Sequence, residues 1–301
     1  MKAQPYPSLA DVESARRRLN GGIRQTPCLP VPALSAPAGV TLWLKRDDLQ
    51  RTGSAKERGA RHALLCLTET ERTRGVIAAS AGNHAIGLAY HGSMLGVPVT
   101  VVLPSGTAAV KVARCRSLGA SVVLHGVNYA EARAHAEVLA ARTGAACAHA
   151  ASHAPVAAGL GTMVLEILEQ APNLDTLVMP AGGGLLAAAA AVLKSAKPSV
   201  RLVSVGRVHL ADDCAGLADE HVAVNAAELT AAISLLACRA GIVAEEAGAA
   251  PLAAVLSGRV KLAPGSCVVL PVSGRNIDPR RHAAAVAAGA EWVQQLELLA
   301  K

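Results

Sequence analysis

From about residue 40 onward, short runs rich in β-branched residues alternate with longer stretches rich in Ala and Leu. The short runs have the length of buried strands and the longer ones the length of helices, which is typical of βαβ units and a parallel sheet. The strand candidates are 40–45, 75–79, 99–103, 121–124, 176–179, 202–205 and 267–272. The helix candidates are 58–68, 83–95, 107–118, 129–142, 155–170, 185–195, 226–239 and 279–297. We therefore predict an α/β fold with two open, twisted, mostly parallel sheets flanked by helices.

Composition excludes several classes of protein. With 52% apolar and 17% charged residues over 301 positions, the chain can bury a large core and is not intrinsically disordered. Phe is absent and aromatic residues make up only 2%, so we expect no nucleic-acid surface built on aromatic stacking. The net charge of +7 is scattered along the chain, which also disfavours a polyanionic partner. No uncharged apolar run is long enough to span a membrane, so we expect no membrane association.

The cysteines indicate a reducing compartment. There are seven, an odd number with no C-x-x-C pair, which favours free thiols over a disulfide framework. The first residues carry no apolar stretch of the kind found in a signal peptide. We therefore expect a cytoplasmic protein.

A turn with the sequence TGSAK, residues 52–56, precedes the first long helix candidate. Lys56 is placed where the positive end of a helix would lower its pKa, and a lysine of this kind can form a Schiff base with an aldehyde. The alternative interpretation is a solvated lysine at a helix start. For a lysine considered by itself, this interpretation is favoured over a Schiff-base role.

Three more turns follow strand candidates, at the sheet edge where ligands bind in open α/β folds. Residues 80–84, with Ser80, Gly82 and Asn83, would offer donors to an anion at a helix start, although an Asn in such a turn is also a common helix cap. Residues 182–184 are consecutive glycines, whose N–H groups suit a phosphate; their spacing fits neither G-x-G-x-x-G nor a Walker motif. The fourth turn, around Ser273, is by itself only a strand end.

Together these turns resemble the fold-type II pyridoxal-phosphate enzymes of the serine/threonine dehydratase and serine racemase family, whose fold is that of the tryptophan synthase β type. The matching segments are 44–60 (LKRDDLQRTGSAKERGA), 80–85 (SAGNHA), 159–162 (GLGT), 243–249 (VAEEAGA) and 273–278 (SGRNID). The resemblance runs from about residue 8 to residue 282. The last segment is most similar to the branch of hydroxyectoine-utilisation and related 3-hydroxy amino acid dehydratases.

The resemblance implies a role for each matching residue. Lys56 would hold the aldehyde of pyridoxal 5'-phosphate and remove the substrate α-proton, while Asn83 would bond to the pyridine hydroxyl and Ser273 would face the pyridine nitrogen. Glu245 would be a general acid/base, with a structural carboxylate at a helix start as the alternative. The residues implied to bind the cofactor phosphate are Gly182, Gly183, Gly184 and Leu185. Those implied to lie near the substrate carboxylate are Ser80, Ala81, Gly82, Asn83 and His84.

The implied reaction is dehydration of a hydroxy amino acid. A neutral Ser273 leaves the pyridine nitrogen largely unprotonated, which favours β-elimination of a hydroxyl group. L-Threonine or L-serine would then yield a 2-oxo acid and ammonia. The alternatives are 3-hydroxyaspartate or a hydroxyectoine-derived amino acid as substrate, a catalytically weak homologue that binds the cofactor, and a serine racemase. A racemase is disfavoured because Ala81 cannot exchange a proton on the second face of Cα. An NAD-binding oxidoreductase lacks its glycine motif here.

The sequence departs from the family in two places. The glycine loop is one residue shorter than is common in the family, and several dozen residues are missing after Cys214. Relatives that bind a divalent cation have a Glu where Arg207 stands, with the Ala211 carbonyl and Asp213 as partners. A guanidinium cannot ligate a cation, so we expect no metal. The histidines and cysteines at 147, 149, 153 and 209 show no recognised ligand spacing.

We expect a large cofactor-binding domain formed by 1–48 and 148–301, with residues 49–147 as a small domain inserted into it. The expected partners are a small hydroxy amino acid and a second copy of the chain in a homodimer. Because the chain ends one helix candidate after the Ser273 segment, we expect no appended regulatory domain and a catabolic role.

Overall fold

The computed structural model describes residues 6–80, 82–149, 153–207 and 216–299, and the chain divides into two compact units. The first unit is formed by residues 1–24 and 55–162, and the second by 25–54 and 163–301. These units assign 1–24, 49–54 and 148–162 differently from the domains expected above, whose boundaries stay a prediction. Both units are α/β, with parallel pairing predominating in each sheet, which confirms the predicted fold class.

The first unit contains a parallel sheet of four strands. Its strands, in the spatial order β5-β4-β3-β6, are all parallel to their neighbours. The strands are β3 (Val76–Ala79), β4 (Val99–Leu103), β5 (Ser121–Leu124) and β6 (Ala146–Cys147). The helices are α1 (Leu9–Leu19), α3 (Lys56–Leu65), α4 (Glu69–Arg74), α5 (Asn83–Leu95), α6 (Ala109–Ser117) and α7 (Tyr129–Thr143), and α8 (Ala154–Gln170) continues into the second unit.

Both faces of this first sheet are covered. Val101 packs with Leu88 of α5 in one apolar cluster, which also includes residues of α3 and α6. Its neighbour Val102 packs with Ala136 of α7 in a second cluster. Because successive side chains of a strand point to opposite faces, α5 and α7 lie on opposite sides of the sheet. The centre of the sheet is therefore inaccessible, and its carboxyl edge carries the polar loops.

Among its described residues, the second unit contains six strands in the spatial order β1-β2-β10-β7-β8-β9. Of these strands, β1 alone is antiparallel to its neighbour. The strands are β1 (Cys28–Pro30), β2 (Thr41–Lys45), β7 (Thr176–Pro180), β8 (Arg201–Arg207), β9 (Glu220–Val224) and β10 (Cys267–Pro271). The helices are α2 (Pro32–Ala38), α9 (Gly183–Ala196), α10 (Ala226–Ala240), α11 (Glu246–Leu256) and α12 (Pro279–Leu299), with a 3₁₀ turn at Asp47–Leu49.

The core of the second unit lies on its central strands. Leu270 of β10 and Val178 of β7 pack with apolar residues of α2, α10 and α11. The preceding residues Leu177 and Val269, whose side chains point to the opposite face, are also fully buried. This sheet too is therefore covered on both faces. Strands β7 and β10 lie next to each other in parallel, so the loops that follow them leave the same edge. In the described part of the chain, no helix is both long enough and apolar enough to cross a membrane.

Candidate active site

Lys56 is the first residue of α3, and its side chain is half-buried. The preceding residue, Ala55, has helical backbone angles and offers no side chain to cap the helix. Helix α5 packs closely on this turn through Gly87: a Cβ placed there would lie 2.9 Å from Ala60 Cβ and 3.5 Å from the Lys56 carbonyl oxygen. Gly87 was not predicted as a site residue, although a glycine inside a helical pattern often marks such a contact. The close approach holds Lys56 against α5.

The loop between β3 and α5 supplies the predicted anion-binding turn. Asn83 is the first residue of α5 and is half-buried, and the preceding Gly82 is extended and carries no capping side chain. The Gly82 N–H lies 3.4 Å from Ser80 Oγ, to which it donates. An uncapped helix start concentrates positive potential, so this turn suits a carboxylate. Ala81 lies outside the described residues.

The ring of His84 is buried and forms a hydrogen bond inside the protein. It is 3% exposed, and its Nε2 donates to the carbonyl oxygen of Ala148 at 2.6 Å. The pKa of this imidazole is lowered to about 4, mainly by burial and also by the nearby charges of Lys56, His153 and His149, while the bond to Ala148 opposes the shift. The ring is therefore neutral at physiological pH, and what residue 84 can offer a substrate carboxylate is its backbone N–H.

In the second unit, the loop after β10 is hydrogen-bonded to the segment that leads to Lys56. Ser273 is buried, with 7% of its surface exposed. Ser54 Oγ donates to the backbone carbonyl oxygen of Ser273 at 3.0 Å. The Arg275 N–H donates to the carbonyl oxygen of Gly53 at 2.9 Å, and Asn276 Nδ2 donates to that of Thr52 at 2.9 Å. Residues 52–54, which make these bonds, directly precede Ala55 and Lys56 in the sequence.

The glycine loop follows β7 and starts α9. Gly182 precedes the helix and has φ of +122°, a conformation that L side chains rarely adopt. A Cβ at this position would meet no atom within 4 Å, so the requirement for glycine is conformational. Gly182 is exposed, whereas Gly184 and Leu185 are buried in the first turn of the helix. No side chain caps this helix start, and the first N–H groups of a helix have no partner within it, so the turn is suited to a phosphate.

Glu245 precedes α11 at its N-cap position and is half-buried. Its backbone N–H donates to the Gly274 oxygen at 3.0 Å, which places it beside the Ser273 loop. Its side chain makes no capping bond to the helix. The structure thus brings Glu245 and the loop of Ser273 together within one unit, while the chemical role of Glu245 stays a prediction.

The expected absence of a metal stays a prediction. Arg207 donates to Glu246 at 2.6 Å, so the guanidinium at the implied ligand position is held by a carboxylate. Ala211 and Asp213, together with His209, lie outside the described residues. Within the described ranges, no group of three or more His, Cys, Asp or Glu side chains has the arrangement of a metal site.

The donor groups fit pyridoxal phosphate. In the first unit, Lys56 supplies an amine and Asn83 an amide at two helix starts that pack together. In the second unit, Gly182 opens a helix start suited to a phosphate, and Ser273 supplies a neutral hydroxyl in a buried loop. These are the chemical groups that an aldehyde, a phenolic oxygen, a phosphate and a pyridine nitrogen require.

Comparison with known proteins agrees with this donor set. A family model described as pyridoxal-phosphate dependent enzyme matches residues 19–274. The L-threonine ammonia-lyase of Thermotoga maritima is 37% identical over 307 residues, covering 90% of this chain and 76% of that protein. The catabolic L-threonine dehydratase of Staphylococcus aureus is 36% identical over 312 residues, covering 91% and 90%. The solved structure of threonine deaminase isoform 2 from Solanum lycopersicum, in its processed form, is 26% identical with a TM-score of 0.83, covering 96% and 91%. The chain therefore belongs to the family of pyridoxal-phosphate-dependent enzymes.

Proposed function

We propose that this protein is an ammonia-lyase that dehydrates a 3-hydroxy amino acid, such as L-threonine or L-serine, to a 2-oxo acid and ammonia. The observation that carries the proposal is the buried, neutral Ser273, whose loop is bonded to the segment leading to Lys56. A neutral group at the pyridine nitrogen favours elimination over reactions that need a protonated ring. The relatives described above, named for threonine ammonia-lyase and dehydratase activity, support the same assignment.

Bound pyridoxal phosphate supplies an electron-withdrawing system conjugated to the substrate nitrogen, which acidifies the α-proton. Lys56 would hold the cofactor through its Nζ, and the same amine would accept the proton from the substrate Cα. The start of α5, with Ser80 and Asn83, orients the substrate carboxylate by its N–H groups and its positive end. The carboxylate is thereby fixed while the hydroxyl leaves as water.

The other residues bind and tune the cofactor. Gly182 and the first turn of α9 bind the phosphate through backbone donors, which need no side-chain charge. The Ser273 hydroxyl would donate to the pyridine nitrogen without protonating it, because an alcohol is a far weaker acid than pyridinium. Glu245 lies beside the Ser273 loop and is our candidate for the acid that assists departure of the hydroxyl.

The test begins with the purified protein and added pyridoxal phosphate. We expect an absorbance band of lysine-linked cofactor and release of 2-oxo acid in a screen of L-threonine, L-serine and 3-hydroxyaspartate. Lys56→Ala should lose both the band and the activity, whereas Lys111→Ala, which changes an exposed lysine of the same unit, should retain both.

The outcomes separate the alternatives. A borohydride-reducible adduct that survives in Lys56→Ala would refute the assignment of Lys56. D-Serine formed from L-serine by the wild type, detected by chiral chromatography, would favour a racemase. A cofactor band without ammonia release from any hydroxy amino acid would favour a catalytically weak homologue.

We also propose a cytoplasmic homodimer that binds no nucleic acid. In the described part of the chain, Cys28, Cys66, Cys115, Cys147, Cys238 and Cys267 are free thiols, which supports a reducing compartment. Sedimentation of the holoenzyme tests the dimer, and a monomer at micromolar concentration would contradict it.

A further inference from the structure

His91 of α5 lies between two oppositely charged side chains of α3. Its Nε2 is 3.3 Å from Glu57 Oε1, and its Nδ1 is 3.2 Å from Arg61 Nη1. The side chains of Glu57 and His91 are 0% and 1% exposed. Burying polar side chains is costly unless they have polar neighbours, so the contact between this carboxylate and this imidazole favours the packing of α5 on α3.

The guanidinium of Arg61 fixes the tautomer of His91. A guanidinium can only donate hydrogen bonds, so Nδ1 of His91 must be the acceptor. The ring proton is then on Nε2, which lies near Glu57. His91 therefore contacts two oppositely charged side chains of α3 at once, one through each ring nitrogen.

The two contacts of His91 fit one alignment of the two helices. Glu57 and Arg61 are four residues apart, so they lie on one face of α3 in successive turns. His91 contacts both turns at once and fits only one axial position of α3 along α5. Gly87, one turn before His91, is where the helices pack closest, next to the Lys56 carbonyl. Buried polar contacts of this kind are best known for fixing the alignment of packed helices.

We propose that His91 is a positioning residue that sets the position of Lys56 relative to Asn83, an inference that rests on the function proposed above. Lys56 and Asn83 are the first residues of α3 and α5, so the alignment of these helices determines where the amine and the amide lie. His91 itself contacts neither the substrate nor the cofactor in this proposal. Its effect on the reaction is transmitted through Glu57, which directly follows Lys56.

Three variants test the proposal. His91→Leu removes both polar contacts at similar volume, while His91→Gln retains an amide donor for Glu57. Gly22→Ala acts from outside the two helices, because its Cβ would overlap Arg61 Nε and would displace that side chain. His125→Leu, at an exposed histidine of the same unit, is the matched control.

Hydrogen exchange of the holoenzyme and steady-state kinetics provide the readouts. We expect His91→Leu and Gly22→Ala to speed amide exchange at the starts of α3 and α5 and to lower kcat by roughly tenfold or more, since small displacements of a reacting group have effects of this size. KM should change by less than about threefold, as the carboxylate-binding turn is retained. His91→Gln should recover most of kcat, and His125→Leu should match the wild type.

The proposal is overturned if folded His91→Leu exchanges and turns over as the wild type does, or if His91→Gln is as slow as His91→Leu. If His91→Leu does not fold, Gly22→Ala decides, and wild-type exchange and kcat in that variant would overturn the proposal. Absence of 2-oxo acid release by the wild type would instead refute the proposed function, and the exchange measurement would still report on the alignment of the helices.

Discussion

The Ser54 hydroxyl donates a 3.0 Å hydrogen bond to the carbonyl oxygen of Ser273, a residue 219 positions further along the chain. Both residues are buried, with 1% and 7% of their surfaces exposed. Ser54 precedes Lys56 by two residues. This bond therefore connects the segment that leads to Lys56 with the loop of Ser273, the residue that we propose faces the pyridine nitrogen.

Ser54→Ala should destabilise the protein by about 1–3 kcal/mol, because it leaves a buried carbonyl without this donor. It should also weaken cofactor binding, since the Ser273 loop loses an anchor. Urea unfolding and a pyridoxal phosphate titration measure the two effects. Ser257→Ala is the control, because that hydroxyl bonds only within α11. Equal cofactor affinity in Ser54→Ala and the wild type would show that the bond does not support the site.

Gly182→Ala should raise the Kd for pyridoxal phosphate by about tenfold or more, because φ of +122° is strained for alanine by about 1–3 kcal/mol. Relaxation of that strain would turn the N–H groups of the loop away from the phosphate. Gly258→Ala is the control, because Gly258 also has a positive φ, of +68°, with open space around its Cβ. It follows α11 and belongs to none of the four candidate turns. The prediction fails if both variants lose stability but bind the cofactor equally well.

Stability should decrease as the pH is lowered from about 6.5 towards 4, because His84 must take up a proton on unfolding. Its pKa is about 4 in the folded protein and 6.5 when unperturbed, so the unfolded state binds more protons in this interval. The stabilisation is complete above pH 6.5 and is lost as the pH falls through the folded pKa, by at most about 3 kcal/mol for this residue. The pKa values of His62, His149 and His153 are also lowered by burial, so they add to the same trend.

Urea unfolding at several pH values measures this dependence. His84→Gln retains a donor for the Ala148 oxygen but does not titrate, so its stability should vary less with pH than that of the wild type. A His125→Gln control should show the wild-type slope, since that histidine is exposed. Identical slopes in His84→Gln and the wild type would contradict a neutral, buried His84.

Ser273→Asp should slow elimination by about tenfold or more, because a carboxylate beside the pyridine nitrogen favours its protonated form. Exchange of the substrate α-proton should be slowed less, so partitioning should shift towards exchange. NMR of the substrate in D₂O and an assay of 2-oxo acid measure both processes in one sample. Unchanged partitioning would show that Ser273 does not face the ring.

The strands of the fold were predictable where they are long and apolar. The predicted strands 99–103 and 121–124 coincide with β4 and β5. The two-residue β6 has too little sequence to carry a pattern, and β9 is an edge strand whose Glu220 and His221 interrupt the apolar signal. Helix α11 was not predicted because it contains Pro251, which normally interrupts a helix.

The end of α3 illustrates how the boundary of one helix depends on the capping of the next. The sequence predicted a helix over 58–68, whereas α3 begins at Lys56 and ends at Leu65. It ends early because Thr68 and Glu71 form a capping box that starts α4. The threonine and glutamate spacing is visible in the sequence, so this boundary could have been predicted.

The candidate site was predictable as a set of chain positions but not as a set of contacts. Lys56, Asn83, Gly182 and Ser273 each lie at the end of a helix or strand, as their neighbouring turns indicated. The hydrogen bond between the His84 ring and the carbonyl oxygen of Ala148 was not predicted, because Ala148 directly follows β6, a strand that was not predicted either. The bond between Ser54 and Ser273 joins residues too distant in sequence for any local pattern to reveal.

The position of β10 between β2 and β7 bears on how the protein is made. The sheet of the first unit uses strands from one continuous stretch, residues 76–147, so it can assemble while the rest of the chain is still being synthesised. The sheet of the second unit cannot close until residues 267–271 have left the ribosome, because β10 separates β2 from β7. The edges of β2 and β7 therefore stay unpaired throughout most of translation, and pairing across so many residues is slow. A nascent chain of this protein is most exposed to aggregation just before its last strand arrives.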